Sequence, residues 1–226
     1  MTLFRLAFST LAFPAASLAE ALGLGRSWGY DGVELRLIDG ELIDPAMPAA
    51  RRTQVRRTLA AAGLPVVAVD SSIRLAGDPD AGAQLNRFLE LASDWEAPMV
   101  RVFGGPLPAS GPGRAAGLDT AARVLADAAP RAAQLGVAIG LETHDDFSAA
   151  RVVAEVPSRV PDPAAGAVWD SHHPHRAGES AAQASVEWEK RWHPEIEEPQ
   201  VALPQHLAVL RAWPDGDHPE AVQEAP

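Results

Sequence analysis

The sequence predicts an α/β fold of repeated strand–helix units with parallel strands, and three observations carry that expectation. Short apolar runs of strand length alternate with amphipathic stretches of helical length. No hairpin signal stands between one run and the next, so each strand returns by a right-handed crossover through its helix. Several runs end abruptly in acid or imidazole, groups that are costly to bury without a purpose. The clearest is the stretch from Val137 through Gly140, Leu141, Glu142 and Thr143 to His144.

Residues 5–9 read as a first strand and 17–24 as a helix with Ser17 as its cap. Gly29-Tyr30-Asp31-Gly32 makes a turn into a second strand at 33–37, where Glu34 and Arg36 share one face and apolar residues the other. A helix over 48–62 is stopped by Gly63, and 65–71 is a third strand ending in Asp70 and Ser71. Residues 81–95 place Leu85, Phe88, Leu89 and Ala92 at helical spacing, and 99–105 resume the strand pattern. The Gly- and Pro-rich stretch 106–117 reads as a long loop, followed by a helix at 118–135 that Pro130 should kink or divide. After the Glu142 strand come a helix at 148–156, a loop at 157–166 and a strand ending in Trp169-Asp170.

No junction carries a G-x-G-x-x-G or a phosphate-binding loop, which removes weight from nucleotide-binding doubly wound sheets. Carboxylates at several strand ends favour the barrel, whose site is collected from many strands. Glu142, Asp170 and Glu187, each ending an apolar stretch, therefore suggest a metal site at one mouth of a TIM-type (β/α) barrel. Residues 1–213 form its single domain, and 214–226 have the composition of a disordered tail.

The 226-residue chain, 47% hydrophobic, can bury a substantial core. With no cysteine, a metal would be held by oxygen and imidazole, which suits Mn²⁺ first and Mg²⁺, Co²⁺ or Zn²⁺ as alternatives. A net charge of -11 argues against nucleic acid as a partner. The one basic cluster, Arg51, Arg52, Arg56 and Arg57, reads as a solvated helix face. No apolar run approaches the roughly 20 residues that cross a bilayer. Residues 1–19, which faintly suggest a signal peptide, read better as strand and helix start, so a cytoplasmic location is expected.

Four stretches carry a family resemblance: Gly29 to Arg36, Gly140 to Asp145, Trp169-Asp170-Ser171-His172-His173-Pro174, and Ser185-Val186-Glu187-Trp188-Glu189-Lys190. In order and placement the chain resembles the sugar phosphate isomerase/epimerase family, the xylose-isomerase-like (β/α)8 barrels. The resemblance implies a divalent metal held by Glu142 of the fifth strand, Asp170 of the sixth and Glu187 of the eighth. It also implies a His three residues after the Asp touching substrate, which is His173, while the seventh-strand His ligand has no counterpart. Glu142 and Glu187 would then exchange a proton with opposite sides of a substrate carbon through an enediolate. His144 would contact substrate or replace the missing imidazole. Arg101 would bind substrate hydroxyl or phosphate, or else join a structural ion-pair layer with Glu34 and Arg36.

The implied function is a metal-dependent isomerase or epimerase of a keto sugar, sugar phosphate or inositol-like polyol. A lyase or dehydratase using the same site, or a degenerate barrel with a binding or scaffold role, are the alternatives. Its partner would be a small carbohydrate, with homodimer formation left open. Successive markers Glu34, Val69, Val102, Glu142 and Asp170 lie 35, 33, 40 and 28 positions apart, but Glu187 follows Asp170 by only 17. One β/α unit, the seventh, is therefore expected to be missing, leaving the barrel incomplete or seven-stranded and shorter than the usual ~250 residues.

Overall fold

The computed structural model describes residues 5–170, 172–176 and 178. Six strands, β1 (Ala7–Ser9), β2 (Gly32–Leu35), β3 (Val66–Arg74), β4 (Met99–Phe103), β5 (Ala138–Glu142) and β6 (Ala165–Val168), form one sheet in chain order. Every neighbouring pair is parallel. A doubly wound sheet reverses its strand order at a switch point, whereas a β/α barrel adds strands in sequence. The strictly sequential order is the barrel's. Among the described residues β1 and β6 are not paired with each other. The expected last strand around Glu187 and the expected tail at 214–226 lie outside the described residues.

Helix α1 (Leu18–Trp28) starts at Ser17, whose hydroxyl accepts from the Glu20 amide while Glu20 reaches back to the Ser17 amide, a complete capping box. Helix α2 (Ala49–Ala62) ends at Gly63 in the left-handed conformation, φ 63°. Helix α3 (Ala81–Asp94) buries Leu85, Phe88, Leu89, Leu91 and Ala92 against the sheet, each larger side chain contributing about 1.5–3 kcal/mol. Helix α5 (Ala150–Glu155) is short, and α6 (His172–Arg176) follows β6.

Three expectations are corrected. The helix α4 (Pro112–Leu135) takes in the second half of the expected 106–117 loop, because Pro112 occupies the first turn, where a missing N–H costs nothing. Of the kink or division expected at Pro130, the division does not occur, and the helix runs through it. A hairpin does occur: Leu37–Ile38 pairs antiparallel with Glu41–Leu42 directly after β2. Its turn is Asp39-Gly40, both at positive φ (53° and 79°), the chemistry of a two-residue hairpin turn. It is an appendage to the parallel sheet and leaves the strand order untouched. Among the described residues no helix is long and apolar enough to cross a membrane.

Candidate active site at the strand ends

The side chains that concern function gather along β3, β4 and β5 and at the start of α6. Buried apolar residues flank each of them: Val69 and Ile73 on β3, Val100 and Val102 on β4, Ile139 and Leu141 on β5. Against this background Asp70, Arg101 and Glu142 are the charged groups taken out of water, at 0%, 4% and 4% exposure. Parallel register sets Asp70 opposite Arg101, and Arg101 opposite Gly140, two residues before Glu142.

Arg101 bridges the two acids. Its Nη2 lies 3.2 Å from Asp70 Oδ2 and its Nε 2.8 Å from Glu142 Oε2. Directly after β2, Arg36 is also buried, and its Nη1 donates to the Asp70 carbonyl at 3.5 Å, while Glu34 on β2 is half-buried. The ion-pair layer expected of these residues is thus present for Arg101, with Asp70 and Glu142 as its acids. Arg101, the middle residue of β4, is 4% exposed.

Beyond the strand ends, Thr143 joins β5 to the chain after β6. Its hydroxyl donates to the Asp170 carbonyl at 2.8 Å and accepts from the Asp170 amide at 2.8 Å. That pair of hydrogen bonds holds the Asp170 backbone, two residues past β6, beside the end of β5. His173, on α6, brings Nε2 to 3.7 Å from Asp170 Oδ2. His144 packs at a tilt between Phe103 and His173, with ring centroids 4.3 Å from each. Asp145 Oδ1 lies 2.9 Å from His144 Nδ1 and accepts its N–H, which orients the ring. Burial, and then the nearby His173, push the His144 pKa below its ordinary 6.5, so the imidazole is neutral at pH 7.

The rim is stitched together by the loops after β4 and β5. Asp145 adopts a left-handed backbone (φ 50°), Asp146 accepts from the Leu107 amide at 2.8 Å, and Phe147 is fully buried over Gly104. His144 therefore sits on a braced turn.

The structure brings His144, His173 and Asp170 together just past the ends of β5 and β6, and places Glu142 as the last residue of β5. Glu187 lies outside the described residues. Carboxylate and imidazole donors fit a divalent cation of the hard or borderline kind. The described residues supply only part of such a shell, since no group of three or more ligating side chains stands together among them. Asp70, Thr143, Phe103 and Asp145 were not singled out as site residues from the sequence. Asp70 had a readable signal, an acid closing the apolar run of the third strand.

The chain belongs to the xylose isomerase-like TIM barrel family, whose model matches residues 22–209. No curated protein sequence matches it. Among solved structures it is similar to 3-keto-D-glucoside 4-epimerase from E. coli, at 14% identity and TM-score 0.70, covering 92% of this chain and 99% of that one. It is similar to D-psicose 3-epimerase, solved in the presence of D-fructose, at 14% identity and TM-score 0.65, covering 80% of this chain and 68% of the other. A probable 3-DHS dehydratase from Bacillus anthracis aligns at 15% identity and TM-score 0.62, over 86% of this chain and 71% of that one. At these identities the likeness is one of fold.

Proposed function

We propose that this protein is a divalent-metal-dependent isomerase or epimerase of a keto sugar, sugar phosphate or inositol-like polyol. The observation that carries the reading is the placement of Glu142 at the end of β5 and of Asp170 just past the end of the neighbouring β6, where Thr143 holds the Asp170 backbone. Its support is the company of the fold, which includes a 3-keto-D-glucoside 4-epimerase and a D-psicose 3-epimerase.

In this reading Glu142, Asp170 and Glu187 would hold the cation, with Mn²⁺ the first candidate. When bound, the cation supplies a positive charge that polarises the substrate's carbonyl and hydroxyl oxygens. The remaining chemistry belongs to the chain. Glu142 takes the proton from the carbon beside the carbonyl, leaving an enediolate, and Glu187 returns a proton to the opposite face. His173 and neutral His144 hydrogen-bond substrate hydroxyls, and the Phe103 and His144 rings exclude water from one side of the mouth. A dehydratase would begin with the same proton abstraction and then expel a β-hydroxyl, a second reading supported by the dehydratase among the similar folds.

Manganese content and epimerisation of ketohexoses, measured on the full chain and on Glu142→Ala, test the proposal. The wild type is expected to carry bound Mn²⁺ and to turn over. Glu142→Ala is expected to lose the metal and about 10²–10⁴-fold of the rate. Equal metal content in the two proteins would sink the assignment of Glu142. Elimination of water in place of epimerisation would select the dehydratase.

A further inference from the structure

Each of the three guanidinium nitrogens of Arg101 is turned to a neighbouring strand. Nε meets Glu142 Oε2 on β5 at 2.8 Å, Nη2 meets Asp70 Oδ2 on β3 at 3.2 Å, and Nη1 donates to the Ser71 carbonyl at 3.0 Å. The Ser71 hydroxyl donates back to the Arg101 carbonyl at 2.7 Å, and Arg101 Cζ lies 4.2 Å from the Phe103 ring centroid. Of the three, the Nη1 contact is a directed hydrogen bond and the two carboxylate contacts are close ion pairs; the spread of nitrogens on a rigid guanidinium plane reaches all three partners at once, which an ammonium on a flexible stem does not. Asp70 is fully buried, and among the described residues neither of its carboxylate oxygens has a hydrogen bond, so the Arg101 charge compensates it.

A buried ion pair contributes little net stability compared with well-packed apolar residues. The more specific return from this arrangement is orientation. One acid would balance Arg101, yet Arg101 holds two, and the second is the strand-end carboxylate of the candidate site. We propose that Arg101 is a positioning residue for Glu142: anchored on Asp70 and Ser71 of β3, it fixes the rotamer of the β5 carboxylate and the direction of its second oxygen. The inference rests on the proposed role of Glu142 and extends it to how that carboxylate is aimed. Arg101 accordingly acts on the reaction through Glu142, as outer partners of metal-ligating carboxylates do, in place of the direct substrate contact the sequence suggested.

Calorimetric titration of the full chain with Mn²⁺ tests this on wild type, Arg101→Lys, Asp70→Asn and the double variant, with circular dichroism to establish folding. Arg101→Lys keeps the charge and loses the fork. It is expected to bind Mn²⁺ about 10–100-fold more weakly while folded. Asp70→Asn, which removes the anchor, is expected to weaken binding in the same direction, and the double variant to be no weaker than Arg101→Lys alone. A folded Arg101→Lys with wild-type affinity overturns the proposal, as does failure of both single variants to fold, which would make the cluster structural alone. Should Arg101→Lys alone fail to fold, Asp70→Asn carries the same readings. A wild type that takes up no Mn²⁺ overturns the metal-dependent function instead. Crystal structures then decide the positioning role: a displaced Glu142 rotamer in either variant upholds it, and an unchanged one overturns it.

Discussion

Gly104 shows how closely single residues set this mouth. A Cβ added there would stand 2.1 Å from the ring of Phe147, the fully buried residue that closes the turn after β5. The ring cannot retreat, because its neighbour Asp146 is held by the Leu107 amide and the preceding Asp145 is fixed in a left-handed conformation. Gly104→Ala is therefore expected to lower stability by about 1–3 kcal/mol, read as a shift in the urea midpoint at unchanged slope. A wild-type midpoint would mean that the turn carrying His144 is loosely held. At this scale the sequence was partly legible. Glu142, Asp170 and His173 announce themselves as polar groups closing apolar runs, and Asp70 does so equally well. What one sequence conceals is partnership: that Arg101 belongs with both Asp70 and Glu142 follows from parallel register across three strands, which no local pattern encodes.

At the scale of elements, helices α1 and α2 were readable from their end signals at Ser17 and Gly63, and α3 from the spacing of its apolar residues. The start of α4 was not, since Pro112 and Gly113 look like loop and serve as a first helical turn. Nor was the hairpin at Leu37–Leu42, whose strands of two residues are too short for any alternation to show. Its turn nonetheless organises the neighbourhood. Asp39 accepts from the Leu18 amide, an unsatisfied donor of the first turn of α1, at 2.8 Å, and pairs with Arg51 of α2. The amide bond first, and Arg51 with it, hold the Asp39 carboxyl below its ordinary 3.8 against the opposing effect of burial. Because the folded value is depressed, this stabilisation is complete above about pH 3.8 and is lost as pH falls through the lower folded value. Asp39→Ala is expected to cost about 1 kcal/mol at neutral pH, a gap that closes below pH 3.8 in thermal melts. A gap independent of pH would contradict the role of the charge.

The described residues form a run of six parallel strands added in chain order, and that order is what places Glu142 at the end of one strand and Asp170 just past the end of its neighbour. The spacing of strand markers made the sequential β/α plan legible, since one marker per unit recurs at near-constant intervals. The circumference was less legible, because the pairing of a last strand with the first is a contact between the extremes of the chain, set by tilt and shear rather than by any local pattern. The central claim is that this mouth holds a divalent cation through Glu142 and Asp170. The most direct measurement is an anomalous difference map from crystals of the full chain grown with Mn²⁺. The expected result is a peak bonded to Glu142 and Asp170 at about 2.0–2.6 Å. Ordered carboxylates with no peak between them, or a peak bound elsewhere, would contradict it.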